Sequence, residues 1–188
     1  MNLFRWIALP PLTAPAATLV LRLMAGSVFL WEGLMKFAFA NQGVGRFTKL
    51  GMPVPALTAN LVASLEVGGG ILLILGLATR FIAIPFIVEM VVAILSTKIS
   101  LFHGVSPLPP PPVPPVSGIW AVLHEVRSEW AQMMISLFLL LEGPGPISLD
   151  ARLTAEARGS SRASNAPVAP PGRVAIGRRE PFAAVAVR

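Results

Sequence analysis

The stretch ALTANLVASLEVGGGILLILGL, residues 56–77, carries one formal charge, Glu66, near its middle. Otherwise it is almost entirely apolar and about as long as a helix needs to be to cross a bilayer. A carboxylate at the centre of such a helix costs roughly 2.5 to 3.5 kcal/mol on insertion scales. The fold must therefore hide Glu66 from lipid, and the neighbouring segments have to supply the means.

Composition agrees with a membrane setting. Of 188 residues, 54% are hydrophobic and 13% charged, and the mean hydropathy is +0.72. A soluble domain carries about a quarter charged residues. There is no cysteine, so disulfides, thiolate metal sites and thiol relays to a quinone are excluded. The net charge of +6 does not point to nucleic acid. Seven arginines lie after Asp150 and the other basic residues flank or enter apolar runs, which fits orientation in a membrane and contact with anionic lipid.

The hydropathy pattern predicts an all-α fold, a four-helix transmembrane bundle over residues 16–142. An N-terminal segment, 1–15, precedes it and a basic Ala/Pro/Arg-rich tail, 143–188, follows. The spans are expected at 16–38, 56–77, 81–101 and 119–141. The second and third are joined only by ATR, residues 78–80, so they form a tight antiparallel hairpin. In the fourth, IWAVLHEVRSEW is polar and AQMMISLFLLL is apolar. It reads as an amphipathic helix in the interface that enters the membrane near Trp130. The loop GVSPLPPPPVPPVSG, residues 104–118, favours stiff polyproline II and reads as a spacer. The tail from Arg152 is expected to be disordered in isolation.

Charges within the spans fall on stripes. Ala59, Ala63, Glu66 and Gly70 form a small-residue seam on which another helix can approach closely. Arg22, Gly26, Phe29, Gly33 and Lys36 line one face of the first span, where Glu32 and Lys36, four apart, can pair. Pro85, Glu89, Ala93, Ser96 and Ser100 form a third stripe. All three are expected to turn inward, because lipid satisfies no polar group. The candidate polar pocket is thus Arg22, Glu32, Lys36, Glu66 and Glu89. Three readings stand open for it: buried charges that hold the bundle in register, a pocket for a quinone or similar amphiphile, and a proton or ion path. No metal is expected. His103 and His124 are the weak candidates, because both fall at the outer ends of spans, but two imidazoles without a third ligand read first as interfacial residues.

These stripes resemble the DoxX family of small membrane proteins. RLMAGSVFLWEGLMK is similar to its opening helix through Arg22, Gly26, Phe29, Gly33 and Lys36. LGMPVP resembles its glycine-proline loop, and LEVGGGILLILGLATR its second-helix signature through Glu66, Gly69, Gly70, Gly76, Thr79 and Arg80. GPGPISLD, residues 143–150, resembles its closing motif. The resemblance implies a four-helix membrane bundle associated with respiratory redox complexes, some of them thiosulfate:quinone oxidoreductases. It departs at Glu32, where relatives often have histidine, and in its proline-rich loop and long tail. The implied role is a membrane subunit of a redox complex, at most one subunit of a quinone-linked oxidoreductase. It would have no intrinsic cofactor, with quinone as the ligand and other membrane subunits and lipid as partners. The alternatives are a structural accessory subunit and a small proton, ion or solute permease. The expected location is the bacterial inner membrane, and the positive-inside rule favours both termini in the cytoplasm.

The tail is expected to act as a contact segment. Truncation after Arg152 should leave the apolar helices inserted and reduce recovery of co-purifying partners. Recovery of the same partners in the same amounts would make the tail a passive extension.

Overall fold

The computed structural model describes residues 14–109 and 115–164. Among them every regular element is helical: α1 Thr18–Ala38, α2 Val44–Lys49, α3 Pro55–Leu75, α4 Thr79–Thr97, a 3₁₀ turn Ile99–His103, α5 Gly118–Glu125, α6 Arg127–Glu142 and α7 Leu149–Ser164. Among the described residues three segments are long and apolar enough to cross a membrane: Thr18–Ala38, Pro55–Leu75 and Thr79–His103.

The ends of α3 follow from its sequence. Pro55 sits at its start, where a missing N–H costs nothing. Gly76 closes it at φ +67°. The N–H of Leu77 reaches Leu72 O at 2.9 Å and that of Gly76 reaches Leu73 O at 3.1 Å, the paired bonds of a Schellman ending. The chain reverses at once into α4, so the short ATR connection gives the hairpin its spacing predicts.

The hairpin helices are not each other's main partners. α1 lies along α3 and α4 along α6, with smaller contacts joining the two pairs. Small residues permit the α1–α3 approach. A Cβ on Gly26 would stand 2.8 Å from Gly70 O, and one on Gly33 would stand 2.8 Å from Ala63 O. Backbones this close gain dispersion contact that larger residues would prevent. The two pairs meet where Phe29 of α1 stacks face to face on Phe86 of α4, centroids 3.6 Å apart. Ala25, Leu73, Ile82, Met90 and Leu139 surround them.

One end of this assembly is clamped by buried charge. Arg22 is 1% exposed. Its Nε donates to Leu73 O at 2.9 Å and its Nη2 to Ile74 O at 2.8 Å. Its Nη1 donates to Pro144 O and Ile147 O at 2.9 and 2.6 Å. The last carbonyls of a helix have no partner within it and carry its negative dipole end. Arg22 satisfies two of them on α3 and ties residues 144–147 to the same spot. Asp150 then caps α4 from a distance, its Oδ1 and Oδ2 accepting the N–H groups of Ala78 and Thr79 at 2.8 and 3.0 Å. Arg80 repeats the device by donating to Leu141 O near the end of α6 at 2.8 Å.

Two expectations are corrected, and one element was not anticipated. The fourth span is not one helix: the chain breaks at Val126, between α5 and α6. Glu125 and Glu129, one turn apart on either side of the break, both face Lys98, at 3.6 and 3.5 Å. The connection between α1 and α3 contains α2, which its glycine content did not announce. The tail is helical through Ser164 rather than disordered from Arg152. Ser148 Oγ accepts the Ala151 N–H at 3.1 Å, an N-cap, and the alanine-rich sequence beyond it favours helix. The centre of the proline-rich loop and the rest of the tail lie outside the described residues.

Arg22→Met should lower stability by several kcal/mol, at about 1 to 3 kcal/mol for each buried carbonyl left without a donor. Thermal unfolding of the purified protein in detergent would report it. Little or no shift would mean that the carbonyls of α3 find other donors and that Arg22 is not the clamp.

Candidate functional site

The seam of α3 turns Glu66 toward α1, where it is 3% exposed. Lys36 meets it. The ammonium lies 2.8 Å from Glu66 Oε1 in hydrogen-bond geometry and 2.7 Å from Oε2. Helical side chains lean toward their own N-terminus, so Lys36 reaches inward from nearly the end of α1. Glu32, one turn earlier and 44% exposed, sits 3.9 Å from the same ammonium. Glu66 and Glu89 stand almost equally far from the α3–α4 turn and so fall at the same depth. They are close enough for a carboxyl–carboxyl hydrogen bond. Two carboxyls, Glu32 and Glu66, thus gather around one ammonium.

This cluster borders a cavity of about 880 Å³, within the size range of sites for small organic ligands. Its walls are chiefly apolar, with Phe29 and Met90 deep inside. Phe81, Val88 and Val92 of α4 also line it, yet each is exposed on the outer surface of the helices. The cavity therefore reaches the outer surface of the helices along α4. Pro85, Glu89, Ala93 and Ser96 of the third polar stripe line this space, and Ser100 does not. Arg46 and Met52 close the end nearest α2.

The structure brings together four of the five residues singled out from sequence, Glu32, Lys36, Glu66 and Glu89. Arg22 stands apart on the carbonyls of α3 and does not line the cavity. The histidines have separate surroundings: His103 lies edge-on to Phe102, and Nδ1 of His124 faces Glu125 Oε1 at 3.1 Å and Arg127 Nη1 at 2.9 Å. α5 lies outside the three spans. Burial pushes the Glu125 carboxyl up, but the hydrogen bond with His124 and the Lys98 charge outweigh it and hold its pKa below the usual range. Among the described residues no three metal-ligating side chains converge. Sequence reasoning missed Gln132, which lines the cavity from α6 while 5% exposed. Its signal was a lone amide opening an otherwise apolar run.

Apolar helices enclosing an internal ion cluster define a helical integral membrane protein. The chain belongs to the DoxX family, whose profile matches residues 17–99. It is 37% identical over 153 residues to the uncharacterized membrane protein Rv3486 of Mycobacterium tuberculosis, covering 81% of this chain and 90% of that one. It is similar to CatD of Bacillus subtilis, provisionally named an oxidoreductase, with 34% identity over 82 residues, 44% of this chain and 60% of that one. A third relative, the inner membrane protein YphA of Escherichia coli, is 29% identical over 146 residues, 73% of this chain and 91% of that one. No solved structure matches.

Lys36→Met alone strands Glu66 and should cost about 3 to 5 kcal/mol. Adding Glu66→Gln should recover most of that loss, because the uncompensated charge goes with it. Thermal unfolding of the two variants checks this. Additive losses would mean that the two side chains do not depend on each other.

Proposed function

We propose that this protein is an integral membrane subunit of a redox complex and that its cavity holds a quinone. The observation that carries the reading is the cavity itself: large, walled by apolar side chains, open toward lipid, with hydrogen-bonding groups at mid-depth. A lipid-soluble ring with oxygen substituents fits those features, and it can enter sideways without crossing water. The DoxX family membership and the oxidoreductase name of CatD favour the same direction. The chain has no cysteine, so electrons would come from a partner's cofactor and pass to the quinone. The subunit's part is to bind and orient the ring.

In this reading α6 makes the fourth crossing and completes a four-helix bundle. Its 16 residues span about 24 Å, and α5 continues the path along the interface. The clamped end, with Arg80 and the basic tail, faces the cytoplasm of a bacterial inner membrane, as the positive-inside rule favours. Arg22 and Asp150, which serve architecture alone, favour a second reading in which the chain is a structural accessory subunit. The cavity distinguishes the two.

Gentle extraction of the full chain from its native membrane, with mass spectrometry of partners and bound lipid-soluble ligands, tests the proposal. Quinone and oxidoreductase subunits should co-purify with the wild type. Val88→Trp, which places bulk at the lateral opening, should reduce quinone several-fold and leave partners in place. Partners without quinone would favour the accessory reading.

A further inference from the structure

Gln132 is 5% exposed, and neither its Oε1 nor its Nε2 has a hydrogen-bond partner within the protein. A buried amide with both ends unpaired is costly, and this one lines the cavity. Its position relative to the carboxyl cluster follows from helix register. Lys98 faces Glu129 at one end of the α4–α6 pair, and Arg80 reaches Leu141 O at the other. Those two contacts set Gln132 between the level of Glu89 and about two turns outward of it. Lys36, the nearby cation, is already engaged by Glu66.

We infer that Gln132 reads the head of the ligand and that this head carries a hydroxyl donor as well as an oxygen acceptor. The inference rests on the reading that the cavity takes a ring amphiphile. A primary amide presents an acceptor and a donor side by side. A quinone offers only carbonyl acceptors and can use Nε2 alone. A quinol offers hydroxyl hydrogens too, so Oε1 gains a partner that the oxidised ring cannot supply. Sites that hydrogen-bond a ligand hydroxyl discriminate strongly against the analogue lacking it, because their own polar atoms are otherwise left unpaired. The site is therefore selective for the reduced ring.

The experiment uses the full chain in detergent and a benzoquinone bearing a decyl tail, oxidised or reduced, titrated under argon and followed by tryptophan fluorescence. The wild type should bind the quinol more tightly than the quinone, by about tenfold for one additional hydrogen bond. Gln132→Leu should abolish that preference. It should also unfold at the same or a higher temperature, because it removes two unpaired polar atoms at similar volume. Ser136, one turn further along α6, also has an unpaired buried hydroxyl but does not line the cavity, so Ser136→Ala should keep the preference. A preference that survives Gln132→Leu, or that disappears equally in Ser136→Ala, would overturn the assignment. So would a marked loss of thermal stability in Gln132→Leu, which would make the amide a structural group. Binding of neither form by the wild type would overturn the ring-amphiphile reading and this inference with it. Equal binding of both forms by the wild type would overturn the inference alone.

Discussion

Lys36 and Glu66 meet at a depth where neither has water to return to, and much of the architecture follows from that meeting. An isolated charge in a low-dielectric setting is expensive, and the pair is tolerable only with good geometry. Good geometry requires α1 and α3 to lie close and at a fixed depth. Gly26, Gly33, Ala63 and Gly70 supply the closeness, because their short side chains let backbone meet backbone. Once α1 is committed to α3, the other side of Glu66 faces α4. There Glu89 meets it at equal depth, and the cavity forms beside them. A larger residue at Gly33 would meet both Ala63 O and the Cβ of Glu66, separating the helices at the point where the ion pair needs them together.

The same constraint governs the helix ends. Carbonyls at a C-terminus have no partners of their own, and lipid offers none. Arg22 and Arg80, both buried, each carry several donors to such carbonyls, on α3 and α6 respectively. Gly76 is fixed by the first of these in two ways: its φ of +67° suits glycine, and a Cβ there would meet the Arg22 guanidinium at 2.5 Å. Asp150 then acts on the backbone of Ala78 and Thr79. A motif that closes the apolar part of the chain thereby holds the α3–α4 turn, more than seventy residues earlier. Arg22, Arg80 and Asp150 do not line the cavity, whereas the Lys36–Glu66 pair both joins the helices and borders it.

What the sequence revealed and what it concealed divide along physical lines. Glu66 and Glu89 were legible because a three-residue turn between two spans makes distance from the turn a measure of depth. The seam of α3 was legible because small residues repeat at helical spacing. Arg22 was placed on the right face but among the wrong partners. Its acceptors are main-chain carbonyls, 51 to 125 residues away, and carbonyls have no signature in a sequence. At the break at Val126 the flanking Glu125 and Glu129 both face Lys98, distant in sequence, and a six-residue helix such as α2 is too short for a periodic signal. Gln132 was passed over for a different reason. An amide gains meaning only from what surrounds it, and its importance lies in having no protein partner.

Membership of the DoxX family and the apolar helices establish an integral membrane protein. The cavity is where its chemistry is proposed to lie. Around it stand the Lys36–Glu66 ion pair, a second buried carboxyl, Glu89, and the amide of Gln132, which has no hydrogen-bond partner in the protein. The most direct test is an experimental density map of the protein extracted with native lipid and kept in a lipid disc. The account predicts ordered non-protein density between α3 and α4, its head within hydrogen-bond reach of Gln132 and its tail leaving past Val88. A map in which α3 and α4 close on each other, with Glu89 and Gln132 bonded to protein groups and no space between them, would contradict it.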